Sequence, residues 1–401
     1  MIGDSCFLLH PKYMQKIKCN RIPPSLSVSL LFASPARSED VAANLKKLIE
    51  DNFSQNRHHT AGMQTHIAAR DFIKKTFEDY GLEVKLKSFP TSDTTTNGTN
   101  VIGVLRGTNS GTSNDSVLLV GAHYDTTATT PGVDNNGSGL AALLEMLRLL
   151  LQSTTGCVNS NTMIFVAFDS YEEDDNSCPE GMCGSKYFVA NDLADYIGEG
   201  SFQGAIIMDS IMNFDSTDNS QEIFLQDPSG QFDPFNNQLQ DEKFVGNFLF
   251  CATRHADADR ALLTAFVNEW EALPDDVYKL KQLPLNIAEP PTKDQLSIEF
   301  LFDGDHAAFW ENDLAYSALY LTDTKGSRGV MKECYHNQCD NTTLLTTDNL
   351  NFLAKTTKAL TNAVNKMAEC KDKDTSLGNS LYSAQASLGL FLSLVAFLAA
   401  I

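Results

Sequence analysis

The chain is short of positive charge: its 401 residues carry 30 Lys and Arg against 51 Asp and Glu, a formal net charge of −21. Nucleic acid is therefore excluded as an expected partner, because neutralising phosphates needs a basic face. Also missing is an apolar run long enough for a comfortable membrane span, which takes about 20 residues. The uncharged stretch 388–401 falls short of that. No internal repeat is present, and no linker is long enough to force a second domain. No arginine cluster lies near the acidic motifs, which argues against a dedicated grip on substrate carboxylates. What is there is a folded body, 42% hydrophobic and 20% charged, and long enough to bury a sizeable core.

The two ends read as processing segments. In residues 1–36, Lys16, Lys18 and Arg21 precede the apolar stretch 25–33, and Ser34-Pro-Ala36 supplies small residues for cleavage, the layout of a signal peptide. In residues 377–401, the small residues Gly378-Asn379-Ser380, a polar spacer and the apolar tail form a glycolipid-anchor signal. A tail-anchored helix is the alternative, disfavoured because no basic residue follows the tail. The expectation is a single domain over 37–376, entering the secretory pathway and held at the cell surface by a lipid, or secreted. Of the nine cysteines, Cys6 and Cys19 fall in the leader. Cys178/Cys183 and Cys334/Cys339 are spaced for small-loop disulfides. Cys157, Cys251 and Cys370 leave an odd thiol. Sequons stand at Asn52, Asn97, Asn114 and Asn341, with a fifth at Asn136 that is expected to stay unmodified.

Between the ends, short apolar runs alternate with helical periodicity. Runs at 117–120, 162–168 and 204–208 read as buried strands, with another at 317–322 and a possible strand at 244–251. Helices are expected at 140–150, 257–273 and 350–367, and a long polar excursion at 214–240. This alternation implies an α/β fold, a mostly parallel sheet with helices on both faces. The buried strands end in His123-Tyr-Asp125, in Asp169-Ser-Tyr-Glu172-Glu173 and in Asp209, and a glycine-rich loop carrying Asp134 leads into the first long helix. Ligands gather at the carboxyl ends of strands in open α/β sheets. A strand-end acid alone is more often a solvated loop residue or a helix cap, and a Glu-Glu pair more often an exposed face. Several such ends together make a metal platform, and imidazole with carboxylates suits zinc.

The ordered pieces Gly121-Ala-His-Tyr-Asp-Thr126, Gly132-Val-Asp-Asn-Asn-Gly-Ser-Gly139, Phe165-Val-Ala-Phe-Asp-Ser-Tyr-Glu-Glu173, Gly184-Ser-Lys-Tyr-Phe188, Asp209, Asp305-His306 and Tyr335-His336 resemble the zinc-dependent exopeptidases that include bacterial leucyl aminopeptidases and glutamate carboxypeptidases. The resemblance implies a three-layer α/β/α sandwich around a central, mostly parallel mixed sheet, and two zinc ions per chain. It implies that His123, Asp134 and Asp209 hold one ion and Asp134, Glu173 and His336 the other, with Asp134 bridging. Glu172 is then the general base, and Asp125 accepts a hydrogen bond from His123 and fixes its tautomer. Asn135 departs from the family, which often has Asp there, and an insertion at 174–183 lengthens the loop after the base. Without the resemblance His336 is a surface-loop histidine; with it, a ligand. His306 is left between lining the cleft and packing beside Phe309 and Trp310. His10, His58, His59, His66 and His255 show no partner pattern and read as surface residues.

The implied activity is a two-metal aminopeptidase acting on peptides. Alternatives on the same fold are a one-zinc glutaminyl cyclase and a carboxypeptidase. A catalytically silent binding ectodomain belongs to a different class, and the presence of Glu172 argues against it. Side-chain preference and oligomeric state are not readable from the sequence.

Overall fold

The apolar runs at 117–120, 162–168, 204–208 and 317–322 become four neighbouring strands, and the rest of the fold is built on them. The computed structural model describes residues 40–92, 97–153, 157–172, 178, 181–226, 229–292, 295 and 298–372. Its strands are β1 (Glu83–Pro90), β2 (Asn97–Leu105), β3 (Ser116–His123), β4 (Cys157–Asn159), β5 (Met163–Phe168), β6 (Ser201–Met208), β7 (Phe248–Arg254), β8 (Lys279–Leu285), β9 (Ala318–Thr322) and β10 (Cys370–Asp372). Eight of them form one sheet in the order β1-β2-β5-β3-β6-β9-β7-β8, and β10 pairs with β4. The central four, β5, β3, β6 and β9, run parallel. β2 pairs antiparallel with β5, and β7 antiparallel with β9, so the sheet is mixed towards both edges.

Burial follows from that position. Every residue of β5 is buried, as are all of β3 except Ser116, because helices cover both faces. Side chains alternate across the sheet: Leu118, Val120 and Ala122 enter one core layer, Val117 and Leu119 the other. Helices α1 (Val41–Leu48), α2 (Met63–Asp79), α3 (Gly137–Ser153), α7 (Asp257–Ala272) and the last helix, Thr347–Met367, pack on the first layer. α4 (Cys183–Asn191), α5 (Leu193–Ile197), α6 (Asp233–Asp241) and the turns Glu299–Phe302 and His306–Glu311 pack on the second. Each fully buried Leu, Ile or Phe contributes roughly 1.5–3 kcal/mol. The last helix starts at Thr347 because the Thr346 side chain caps it, accepting from the Asn349 amide at 3.3 Å.

The architecture is the expected three-layer sandwich. β8 was not expected, since Lys-Leu-Lys-Gln-Leu-Pro-Leu mixes charge with proline; as an edge strand it tolerates Pro284. The polar excursion 214–240 contains most of α6, and the strand expected at 244–251 starts at Phe248. The Cys178–Cys183 and Cys334–Cys339 disulfides form, Cys370 is disulfide-bonded, and the odd thiol is the buried Cys251. Among the described residues no helix is long and apolar enough to cross a membrane. The leader 1–36, the tail 377–401, His10 and Glu173 lie outside the described residues.

Candidate metal centre

Because β5, β3, β6 and β9 are parallel neighbours, whatever follows each of them emerges at one edge of the sheet. β3 delivers His123 and then Asp125, β5 leads to Tyr171 and Glu172, and β6 leads to Asp209. β9 adds Asp323 and Lys325, which sequence reasoning had not placed there. The His123 side chain is fully buried, with Nε2 3.5 Å from Asp209 Oδ1 and Nδ1 3.6 Å from Asp125 Oδ1. Its ring stacks on Tyr171 at 4.0 Å. At 3.6 Å the Asp125 contact is not the expected hydrogen bond. Asp125 instead accepts the Tyr171 and Glu172 amides, each at 3.0 Å, and so fixes the backbone that carries the base.

Asp134 is reached through the loop before α3. Asp340 accepts the Asp134 amide at 2.7 Å and the Asn135 amide at 3.0 Å, holding the loop from below. Asp134 Oδ1 accepts the Met212 amide at 3.2 Å, and Asp323 Oδ2 accepts the same amide at 3.1 Å, which draws the two carboxyls together. Glu172 is 6% exposed. Its Oε1 accepts from Asn135 Nδ2 at 2.8 Å, and its Oε2 lies 3.2 Å from His336 Nε2. The departure at Asn135 thus provides the base with a donor where an Asp would offer none. His336 stands in a left-handed conformation, φ 60°, inside the loop closed by Cys334–Cys339. Its carbonyl accepts from Thr129 Oγ1 at 2.7 Å, tying it to the loop after β3.

The electrostatics is that of an acid-rich pocket. Burial lifts Asp134 well above the usual carboxylate range, and Asp323 beside it adds to the rise. Burial likewise pushes Asp305 and Asp340 up to about 7 and Asp323 to about 6. Burial alone would raise Asp209, but the Lys325 ammonium and His123 hold it below the usual range. Burial alone would lower His123, but Asp125 and Asp209 hold it well above its ordinary value. So many strained carboxyls in one place is what a divalent cation would relieve.

The donor atoms fit zinc in type, and most of them are unpaired. Both ring nitrogens of His123, Asp134 Oδ2 and Asp209 Oδ1 are buried without a hydrogen-bond partner, and Asp209 Oδ2 and His336 Nε2 are buried against a single charged neighbour each, Lys325 at 2.8 Å and Glu172 at 3.2 Å. Buried polar atoms are ordinarily paired, so this concentration marks positions for something absent from the chain itself. Among the described residues no three such side chains close on a single point; Glu173, expected in the set, lies outside the described residues. His306, left between lining the cleft and packing, packs: it is buried, stacks on Tyr320 at 3.9 Å, meets Trp310 edge-on at 4.6 Å, and its Nε2 meets the Leu301 carbonyl at 2.9 Å.

Two histidines read as surface residues are buried, His58 and His66, each 9% exposed. His66 Nε2 pairs with Asp169 Oδ1 at 2.8 Å, and Asp169 Oδ2 accepts from Tyr124 Oη at 2.8 Å and from the Thr99 amide at 2.7 Å. Burial would lower the His66 pKa, but Asp169 raises it overall. A raised folded-state value gives stability that is full below the unfolded value of about 6.5 and is lost as pH rises through the folded one. His66→Phe is therefore expected to cost more at pH 5.5 than at pH 9. Denaturant unfolding at the two pH values checks this, and an equal cost at both refutes it.

A mixed sheet lies between helix layers, with imidazoles and carboxylates collected at the carboxyl edge of its parallel strands, an arrangement whose donor types suit a divalent cation. The model of Peptidase family M28 matches residues 100–252 of the chain. The chain is similar to leupeptin-inactivating enzyme 1 of Streptomyces exfoliatus, 31% identical over 177 residues that cover 42% of this chain and 36% of that protein. It is also similar to leucine aminopeptidase 1 of Phaeosphaeria nodorum, 28% identical over 199 residues, 45% of this chain and 47% of that one. The matches thus span between a third and a half of these relatives' lengths. The fold is shared with a glutaminyl cyclase from Porphyromonas gingivalis, with a TM-score of 0.52 and 20% identity over 82% of this chain and 99% of the other.

Proposed function

We propose that this protein is a zinc-dependent aminopeptidase that holds two metal ions and removes N-terminal residues from peptides. The observation that carries the reading is the set of buried donor atoms on His123, Asp134, Asp209 and His336, most of them without a hydrogen-bond partner, gathered beside Glu172. His123, Asp134 and Asp209 would hold one ion, and Asp134, Glu173 and His336 the other. Bound zinc would supply Lewis acidity to the scissile carbonyl. Glu172 takes a proton from the attacking water and passes it to the leaving amine. Asn135 orients it through Oε1, and Asp125 holds its backbone. The aminopeptidase relatives support this assignment over the cyclase, whose likeness rests on fold. The leader, the glycolipid-anchor signal, the disulfides and the sequons support a place in the secretory pathway, at the cell surface or outside it.

The test is hydrolysis of a panel of aminoacyl chromogenic substrates by the purified protein, with zinc counted per chain. The expected result is release from free-amine substrates, none from N-acetylated ones, and loss of release in chelator that zinc restores. Release that persists in chelator, or cyclisation of N-terminal glutamine in place of hydrolysis, would overturn it.

A further inference from the structure

A cation already sits at the edge of the proposed metal centre. Lys325 follows β9 in a left-handed conformation, φ 51°, and is 3% exposed. Its amide donates to Asp323 Oδ1 at 2.9 Å, which sets the direction of the side chain. Its ammonium donates to Tyr171 Oη at 2.8 Å, to the Asp303 carbonyl at 2.6 Å and to Asp303 Oδ2 at 2.9 Å. It also lies 2.8 Å from Asp209 Oδ2. Tyr171 in turn donates to Asp303 Oδ1 at 2.7 Å while stacking on His123, so the cage is closed around the ammonium. The Tyr171 and Tyr320 rings flank it at 5.3 and 5.9 Å. An ammonium held by this many fixed groups does not swing away when another cation arrives.

Asp209 therefore faces two ways: Oδ2 towards Lys325, Oδ1 towards His123 Nε2. A metal on the His123 side has only one oxygen of this carboxylate uncommitted, shares its charge with a resident ammonium, and is repelled by that ammonium in a poorly screened interior. On the other side, among the described contacts, no Lys or Arg nitrogen touches the side chains of Asp134, Glu172 or His336. We infer that Lys325 makes the two metal positions unequal: it weakens the His123/Asp209 position, so that at limiting zinc the chain fills the Asp134/His336 position first. Lys325 is a positioning residue in this, acting on the metal through Asp209. The inference rests on the metallopeptidase reading above and concerns only how the ions load.

The experiment is a zinc titration of the metal-free protein against a competing chelator, with Co²⁺ absorption as the report on geometry at each step. The wild type is expected to bind in two steps separated at least tenfold in affinity. Lys325→Met should tighten the second step at least tenfold and change the Co²⁺ spectrum of that step alone, whereas Lys325→Arg, which keeps the charge, should leave the steps separated. Asp303→Asn removes a counter-charge from the ammonium at a half-exposed position and should weaken the second step, which decides the matter should Lys325→Met fail to fold. Two equal steps in the wild type, or a second step unmoved or weakened by Lys325→Met, overturn the inference. A wild type that binds no zinc at all sinks the metallopeptidase reading, a separate failure.

Discussion

Glu172→Gln is expected to lower turnover by about 10²–10⁴-fold, the usual worth of a positioned general base, while zinc content and thermal stability stay close to wild type. Glutamine preserves the shape of the side chain and can still accept from Asn135 Nδ2 through its carbonyl oxygen. What it cannot do is take up a proton from water. The loss should therefore appear in kcat with KM little changed, because the substrate's contacts remain while a transition-state interaction is removed. Steady-state kinetics on the preferred aminoacyl substrate, with zinc counted in the same preparation, checks this. A loss smaller than tenfold with metal retained would remove Glu172 from the role of base and turn attention to Asp305, a buried carboxyl pushed up to about 7.

Glu172 could be singled out because the chemistry of this edge is written in short local patterns. β3, β5 and β6 are apolar runs that end in His123, Asp169 and Asp209, and a strand end is a local fact that survives without knowledge of the fold. The three-layer arrangement follows from the same runs, since strands buried on both faces need helices above and below. Other parts of the centre depend on distance. Lys325 reaches Tyr171 across 154 positions, and Asp340 reaches the Asp134 amide across 206. Nothing near either residue in sequence foretells its partner. His66 looked like a surface histidine for the same reason: Asp169 is 103 residues away. β8 was hidden for a local reason, because an edge strand needs neither an unbroken apolar run nor freedom from proline, and Lys279–Leu285 has neither.

Arg57 is the residue whose loss should cost most in stability, and nothing in the sequence marks it. The side chain is fully buried, yet no carboxylate bonds to its guanidinium among the described contacts. Nε donates to the Tyr124 carbonyl at 2.9 Å. Nη1 donates to the carbonyls of Phe53, Gln55 and Pro131 at 2.5, 3.1 and 3.0 Å, and Nη2 to that of Gly132 at 2.9 Å. The Arg57 amide donates to Thr126 Oγ1 at 2.9 Å. Five carbonyls from two segments thus converge on one planar group, joining the chain just after α1 to the loop between His123 and Asp134. Burial lowers the guanidinium pKa to about 10, opposed by the field of Asp340, Asp125 and Glu172, so it stays charged at neutral pH. Arg57→Met leaves the carbonyls without a donor and removes a positive charge from an acid-rich interior. By analogy with breaking a buried ionic group, the cost should be about 3–5 kcal/mol. Arg57→Lys keeps the charge but offers three donors instead of a five-donor fork, and should fall between the two. Denaturant unfolding in chelator measures the order, and a Met variant within about 0.5 kcal/mol of wild type, the range of an ordinary surface change, would sink the argument. Because Tyr124, Pro131 and Gly132 lie between two proposed metal ligands, the same variants should also bind zinc more weakly. Stability and metal affinity are then expected to fall together along the series Arg, Lys, Met, since one side chain holds both the entry of the chain and the shape of the metal loop.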